Sequence, residues 1–176
     1  RTVVIKDPID IRKPAFYERV GILRHRYYNI YDPIEQIIDD LEADTKPCHI
    51  LKSMPSDLAN LVYSARKGNR RLPRPRQIYS DSETLDKQTR SIVESFFGLK
   101  VLDFYANTET GIAAFQTENS GGRYLVPEDL VVVETLPHPR LENGDRDLIL
   151  TGLINLTTPI IRYRIGDITS GEIDYG

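Results

Sequence analysis

From Asp32 onward the apolar positions switch repeatedly between a helical and a strand period. Ile34, Ile37, Ile38 and Leu41 fall on one face of a helix over 33–43. Asp32-Pro33-Ile34-Glu35 opens it as an N-cap followed by proline at the first helical position, where the missing amide hydrogen costs nothing. A short apolar run at 48–51 reads as a buried strand, and Leu58, Leu61, Val62 and Ala65 form a second amphipathic stripe. After a weaker strand at 77–79, a third helix carries Leu85, Ile92, Val93 and Phe96 and stops at Gly98, the residue type that ends helices in the left-handed conformation. It delivers the chain into a strand at 100–104. Beyond Glu109 the texture turns β-rich, with runs at 112–116, 130–134, 147–151 and 160–163 separated by turn formers such as Gly121-Gly122 and Asn143-Gly144. The expected fold is α/β: strands alternating with helices on a mostly parallel sheet, followed by a β-rich, partly antiparallel region.

Length and composition narrow the classes without naming one. A chain of 176 residues, 40% of them hydrophobic, builds one domain-sized core. With 26 acidic and 23 basic side chains the formal charge is -3, which argues against nucleic acid as the main partner. Cys48 is the single cysteine, so no internal disulfide forms, and His49 beside it reads as a strand neighbour rather than a metal ligand. No apolar run reaches bilayer length and no signal-peptide core opens the chain, so the expectation is a cytoplasmic protein without membrane contact. Arg1 at the start, and a turn at Ser170-Gly171 directly before the closing Tyr175-Gly176, give both ends the look of cuts.

Two clusters carry candidate chemistry. Tyr105-Ala106-Asn107-Thr108-Glu109-Thr110-Gly111 follows a strand, which puts it at the carboxyl edge of the sheet, where open α/β sheets bind ligands. Pro159-Ile160-Ile161-Arg162-Tyr163-Arg164-Ile165-Gly166-Asp167 comes later, after the strand that ends at Thr151-Gly152. In this order, behind this βα run, they resemble the AMP-forming adenylating superfamily, and within it the phenylacetate-coenzyme A ligase family with its capsule-biosynthesis relatives. Upstream, Met54-Pro55-Ser56-Asp57-Leu58 and Ser80-Asp81-Ser82-Glu83 resemble the family's Pro-Ser helix start and its Ser-Ser-Glu loop. The likeness runs from about Tyr28 to Asp167.

That resemblance implies part of an N-terminal nucleotide-binding domain, spanning residues 1–176, in an enzyme that joins a small carboxylic acid to ATP as an acyl-adenylate. The acyl group then passes to a thiol, coenzyme A. It implies nucleotide contacts at Ser82, Tyr105, Ala106, Asn107, Thr108 and Asp167, catalytic roles for Thr108 and Glu109, and Mg²⁺ on Glu109. The chemistry of each side chain agrees. Tyr105 offers a flat apolar face with a polar rim, Thr108 a hydroxyl for the α-phosphate, Glu109 a hard oxygen ligand, and Asp167 two acceptors for the ribose hydroxyls. Taken alone, Tyr105 reads as a core or rim tyrosine and Asp167 as a turn cap after Gly166.

Departures and absences complete the reading. Ala106 replaces the commoner glycine, Ser80-Asp81-Ser82 replaces a glycine or alanine pattern, and Asp145-Arg146-Asp147 replaces Gly-Glu at a place that reads as peripheral to chemistry. Neither a Ser/Thr/Gly-rich phosphate loop nor a C-terminal lid lysine is recognisable, so the chain alone is expected to be inactive. A non-catalytic relative that binds nucleotide or a partner is the alternative class. Arg162 and Arg164 read as structural residues. Arg66, Lys67, Arg70, Arg71, Arg74 and Arg76 read as a solvated loop, with an anion contact as the sharper option, and Glu35, Asp39, Asp40, Glu42 and Asp44 as the wet side of a helix. Which acid is used, whether the acceptor thiol belongs to coenzyme A or to a carrier protein, and whether the protein is a homodimer are not written in the sequence.

Overall fold

The computed structural model describes residues 1–10, 13, 15–140 and 144–170. Asn143, Gly171 and the closing Tyr175-Gly176 therefore lie outside the described residues. The chain forms two compact units, Arg1–Asp103 and Phe104–Gly176.

In the first unit, β1 (Thr2–Lys6), β2 (His25–Asn29), β3 (Ile50–Ser53), β4 (Gln77–Asp81) and the start of β5 (Val101–Asn107) form a sheet in the order β2-β1-β3-β4-β5. The pairings of β1 with β2 and β3, and of β3 with β4, are parallel. A short helix, α1 (Phe16–Arg19), precedes β2, and α2 (Ile34–Ala43), α3 (Pro55–Lys67) and α4 (Lys87–Phe97) are the crossovers. Parallel strands require such long connections, and helices serve as them. β1 lies between two neighbours, and Val3, Val4 and Ile5 are buried in succession, the pattern of a strand covered on both faces. It precedes Asp32, where the alternating pattern was first legible.

The stripe on α3 is buried throughout: Leu58, Leu61, Val62 and Ala65 are each 0% exposed. Each of the larger three contributes roughly 2 kcal/mol of apolar burial. They meet Ile37, Ile38 and Leu41 of α2, Val93 of α4 and Leu51 and Ile78 of the sheet in one core. α4 is capped at both ends, by the Asp86 side chain accepting from the Gln88 and Thr89 amides and by Gly98 at φ 69°. Leu85 lies before that cap, outside the helix that the pattern assigned to it, and packs on the same core.

Several boundaries differ from the sequence reading. Pro33 is itself the N-cap of α2, with ψ 129°, so the helix starts at Ile34, one residue late; the Pro33 carbonyl already accepts from Gln36 and Ile37. β3 starts at Ile50 rather than Cys48, because its partner β1 begins at Thr2, which stands opposite Ile50. Cys48 is buried outside the strand.

In the second unit, the rest of β5 pairs antiparallel with β6 (Gly111–Phe115). A separate antiparallel sheet holds β7 (Val131–Pro137), β8 (Arg146–Gly152) and β9 (Tyr163–Thr169) in that order. Ala113, Val131, Val133 and Leu150 make its core, with Tyr105, Val126, Leu148 and Ile165 packed against them. The last expected strand shifts most. Ile160 and Ile161 precede β9, whose ladder to β8 begins only at Tyr163 opposite Leu150.

Candidate functional site

The first cluster straddles a strand end instead of following one. β5 runs through Asn107, so Tyr105, Ala106 and Asn107 are strand residues, and only Thr108, Glu109 and Thr110 form the turn into β6. Asn107 shapes that turn. Its Oδ1 accepts from the Thr110 amide at 2.7 Å and from the Thr110 hydroxyl at 3.0 Å, an Asx-type closure that leaves Thr108 and Glu109 exposed at the tip. Ala106 is exposed opposite Ile112. Tyr105 is half-buried, its ring held by the second unit's core.

The second cluster meets the first. The Tyr105 hydroxyl donates to Asp167 Oδ2 at 2.5 Å, joining residues 62 positions apart. Burial, then the bond to Asp167 and the charges of Asp167 and Glu109, push the Tyr105 hydroxyl well above the ordinary tyrosine range. It therefore stays protonated and remains a donor at neutral pH. One oxygen of Asp167 is engaged in this way, and Oδ1 is left to accept from a ligand.

Asp167 reaches Tyr105 from a bulge. In the ladder of β8 and β9, Asp147 stands opposite Ile168 and Ile149 opposite Arg164, so Ile165, Gly166 and Asp167 all face the single residue Leu148. Gly166 takes φ 96°, which side chains other than hydrogen resist. Bulges re-aim a side chain out of the regular alternation, and here Asp167 is the residue re-aimed. Arg162 pairs with Glu134 at 3.2 Å and Arg164 with Asp147 at 2.7 Å, the structural roles expected of them.

The two upstream motifs meet each other within the first unit. Glu83 accepts from the Ser56 amide at 3.1 Å and from its hydroxyl at 3.0 Å. Met54, the N-cap of α3, supplies no side-chain acceptor, so Glu83 caps that helix from 27 residues away and sets a carboxylate at its positive end. The loop between them bends at Ser82, exposed and at φ 70°. The backbone there takes the left-handed region that favours glycine, a cost of about 1 kcal/mol for serine. Ser80 is buried and hydrogen-bonds Asp103, while Lys52 pairs with Asp81 at 2.6 Å.

For magnesium, no group of three or more His, Cys, Asp or Glu side chains is placed to hold a metal among the described residues. A single exposed carboxylate, Glu109, fits an ion that takes one or two protein oxygens and fills its shell with phosphate and water. The basic loop is partly committed elsewhere. Arg70 pairs with Glu42, its Nε donating at 2.8 Å, and with Asp39, and Arg66 donates to Ser95 and lies 5.6 Å over the Phe96 ring. Arg71, Arg74 and Arg76 remain exposed. The acidic side of α2 is thus an ion-paired face and not simply a wet one. No described helix is long and apolar enough to cross a membrane.

No family model matches the chain. Protein CapK of Staphylococcus aureus is 34% identical over 93 residues, a stretch covering 53% of this chain and 20% of that protein. Among solved structures, 2-hydroxyisobutyryl-CoA ligase in complex with 2-HIB-AMP and CoA superposes with a TM-score of 0.71 at 19% identity, over 98% of this chain and 41% of that one. A benzoate CoA ligase from Burkholderia xenovorans LB400 gives 0.58 at 16% identity, over 92% and 34%. ATP-bound MatB from Rhodopseudomonas palustris gives 0.56 at 17% identity, over 86% and 31%. The chain thus spans about a fifth of the curated relative and about two fifths or less of these structures, and what it shares with them is their fold: a mostly parallel sheet with crossover helices, followed by an antiparallel three-stranded sheet.

Proposed function

We propose that this chain is the adenosine-binding part of an enzyme that activates a small carboxylic acid with ATP as an acyl-adenylate, releasing pyrophosphate, and passes the acyl group to coenzyme A, releasing AMP. The observation that carries the reading is the meeting of Tyr105 with Asp167, which brings two separate motifs to one place on a fold that CoA ligases share. The solved structures named above include one holding 2-HIB-AMP and CoA and one holding ATP, which supports nucleotide binding on this fold.

In this reading the Tyr105 ring stacks on adenine while its hydroxyl orients Asp167. Asp167 then accepts from ribose through Oδ1. Thr108, exposed at the turn tip, donates to the α-phosphate, whose oxygens gain charge as the carboxylate attacks. Ala106 and Asn107 line the strand end beside the base. Glu109 is the residue that would hold Mg²⁺, which supplies charge neutralisation on phosphate oxygens. No side chain becomes covalently attached. The residues act by binding and orienting, which is where most of the rate in such transfers originates.

Ligand-observed NMR on the 176-residue chain with AMP, and with CMP as control, tests the reading. AMP binds weakly, CMP more weakly still, and Asp167→Asn weakens both, because the ribose it contacts is common to the two. With no Ser/Thr/Gly-rich phosphate loop in the sequence, the chain catalyses no carboxylate-dependent exchange of labelled pyrophosphate into ATP. Equal response to AMP and CMP sinks the adenosine assignment, and robust exchange sinks the account of what the chain lacks.

A further inference from the structure

Asp147 is a charged residue that the proposed chemistry leaves unused and that the fold nevertheless buries, at 3% exposure. Its position reads from sequence as peripheral to chemistry. Its Oδ2 lies 2.7 Å from Arg164 Nη2, in an ion pair whose angle departs from that of a hydrogen bond, and Oδ1 lies 3.8 Å from His138 Nε2. Arg164 itself is half out in solvent, with 54% of its side chain exposed. The register gives this pair its meaning. Arg164 is the last residue of β9 in regular pairing before the bulge, and Asp147 stands opposite Ile168, the first residue in regular pairing after it. The ion pair therefore spans the segment Ile165, Gly166 and Asp167, from one flank to the other.

We propose that Asp147 and Arg164 are positioning residues whose ion pair ties the two flanks of the β9 bulge together and so aims Asp167 at the ribose of a bound nucleotide. The ribose part rests on the ligase reading given above. The bulge needs such a tie. Three residues facing one forfeit regular ladder bonds, and Gly166 gives the segment a hinge with wide backbone freedom. An aliphatic pair would hold the two strands together at least as well as a buried charge does. What the charge adds is direction: a buried carboxylate without its cation is costly, so Arg164 cannot drift from Asp147, and the backbone between Arg164 and Ile168 is held to one span. Tyr105 then meets Asp167 where that span presents it.

The test uses the full chain with ¹³Cζ-labelled tyrosine, read by NMR at neutral pH, alongside AMP titration. In the unsubstituted chain the Tyr105 Cζ resonance and a slowly exchanging hydroxyl proton report the bond to Asp167. Arg164→Gln removes the tie at an exposed position and is expected to move the Tyr105 signal toward that of Asp167→Ala. AMP affinity then falls roughly fivefold, within the range for residues of one hydrogen-bond and ion-pair network. Arg164→Lys, which keeps the charge, recovers part of both changes, a response that a merely structural loss does not give. Asp147→Asn behaves as Arg164→Gln does; should it fail to fold, Arg164→Gln decides alone. An unchanged Tyr105 signal in Arg164→Gln overturns the proposal, whatever happens to AMP. A shifted Tyr105 signal in a chain that never binds AMP upholds the tie and overturns the ligase reading instead.

Discussion

Tyr105→Phe isolates the contact on which the site depends. The substitution keeps the ring, packed with Ala113, Val131, Val133 and Leu150, and deletes only the hydroxyl that donates to Asp167 Oδ2 at 2.5 Å. That length is typical of a charge-assisted O–H···O⁻ bond. Bonds to charged groups contribute about 1.5 to 3 kcal/mol when sheltered, but Asp167 is exposed, and water competing for its oxygens brings the expectation down to about 1 kcal/mol. A double-mutant cycle reads this without contamination from either single change: Tyr105→Phe, Asp167→Ala and the pair, each unfolded in urea and followed by circular dichroism. The coupling energy is expected near 1 kcal/mol, against roughly 0.3 to 0.5 kcal/mol of scatter for independent sites. The sign with pH also follows. Tyr105 titrates above the ordinary tyrosine value, so the coupling is complete below about pH 10 and declines as pH rises further. A coupling indistinguishable from zero at neutral pH would show that the two motifs meet without holding each other, and the proposed orientation of Asp167 would fail with it.

Two further outcomes follow from other parts of the molecule. Glu109→Gln, at an exposed turn tip, leaves thermal stability within about 0.5 kcal/mol but weakens the Mg²⁺ dependence of ATP binding to the chain, with added Mg²⁺ restoring part of it; a destabilised variant would mark Glu109 as structural. Asp44 is pulled both ways, burial raising its carboxyl while the Lys46 amide and the guanidinium groups of Arg1 and Arg26 lower it, and the net result is about 2. Its contribution is therefore complete above an unfolded value near pH 4 and is lost as pH falls toward 2. Urea denaturation of the parent and Asp44→Asn should show a stability gap that closes across that window, and a gap independent of pH would contradict the assignment.

The sequence by itself determined the local elements and the order of the candidate residues. The spacing of Leu58, Leu61, Val62 and Ala65 fixes which face of α3 enters the core, since a helix returns to the same side every three to four residues. Gly98 marks the end of α4 because left-handed backbone excludes most side chains there. Tyr105, Thr108, Glu109 and Asp167 were legible as residue types in order. Boundaries were legible less well, because partners set them: β3 starts where β1 offers Thr2, and β9 starts where β8 offers Leu150. Only the tertiary structure decided which of these residues meet. Nothing in the 62-position separation announces that Tyr105 will donate to Asp167, or that Glu83 will cap a helix starting at Pro55. Nothing local marks Asp147 as buried beneath Arg164 either, or the acids of α2 as partners for Arg70. Periodicity reports how a segment faces its own axis. Contacts between distant segments depend on sheet order, register and bulges, which are settled when the strands pack.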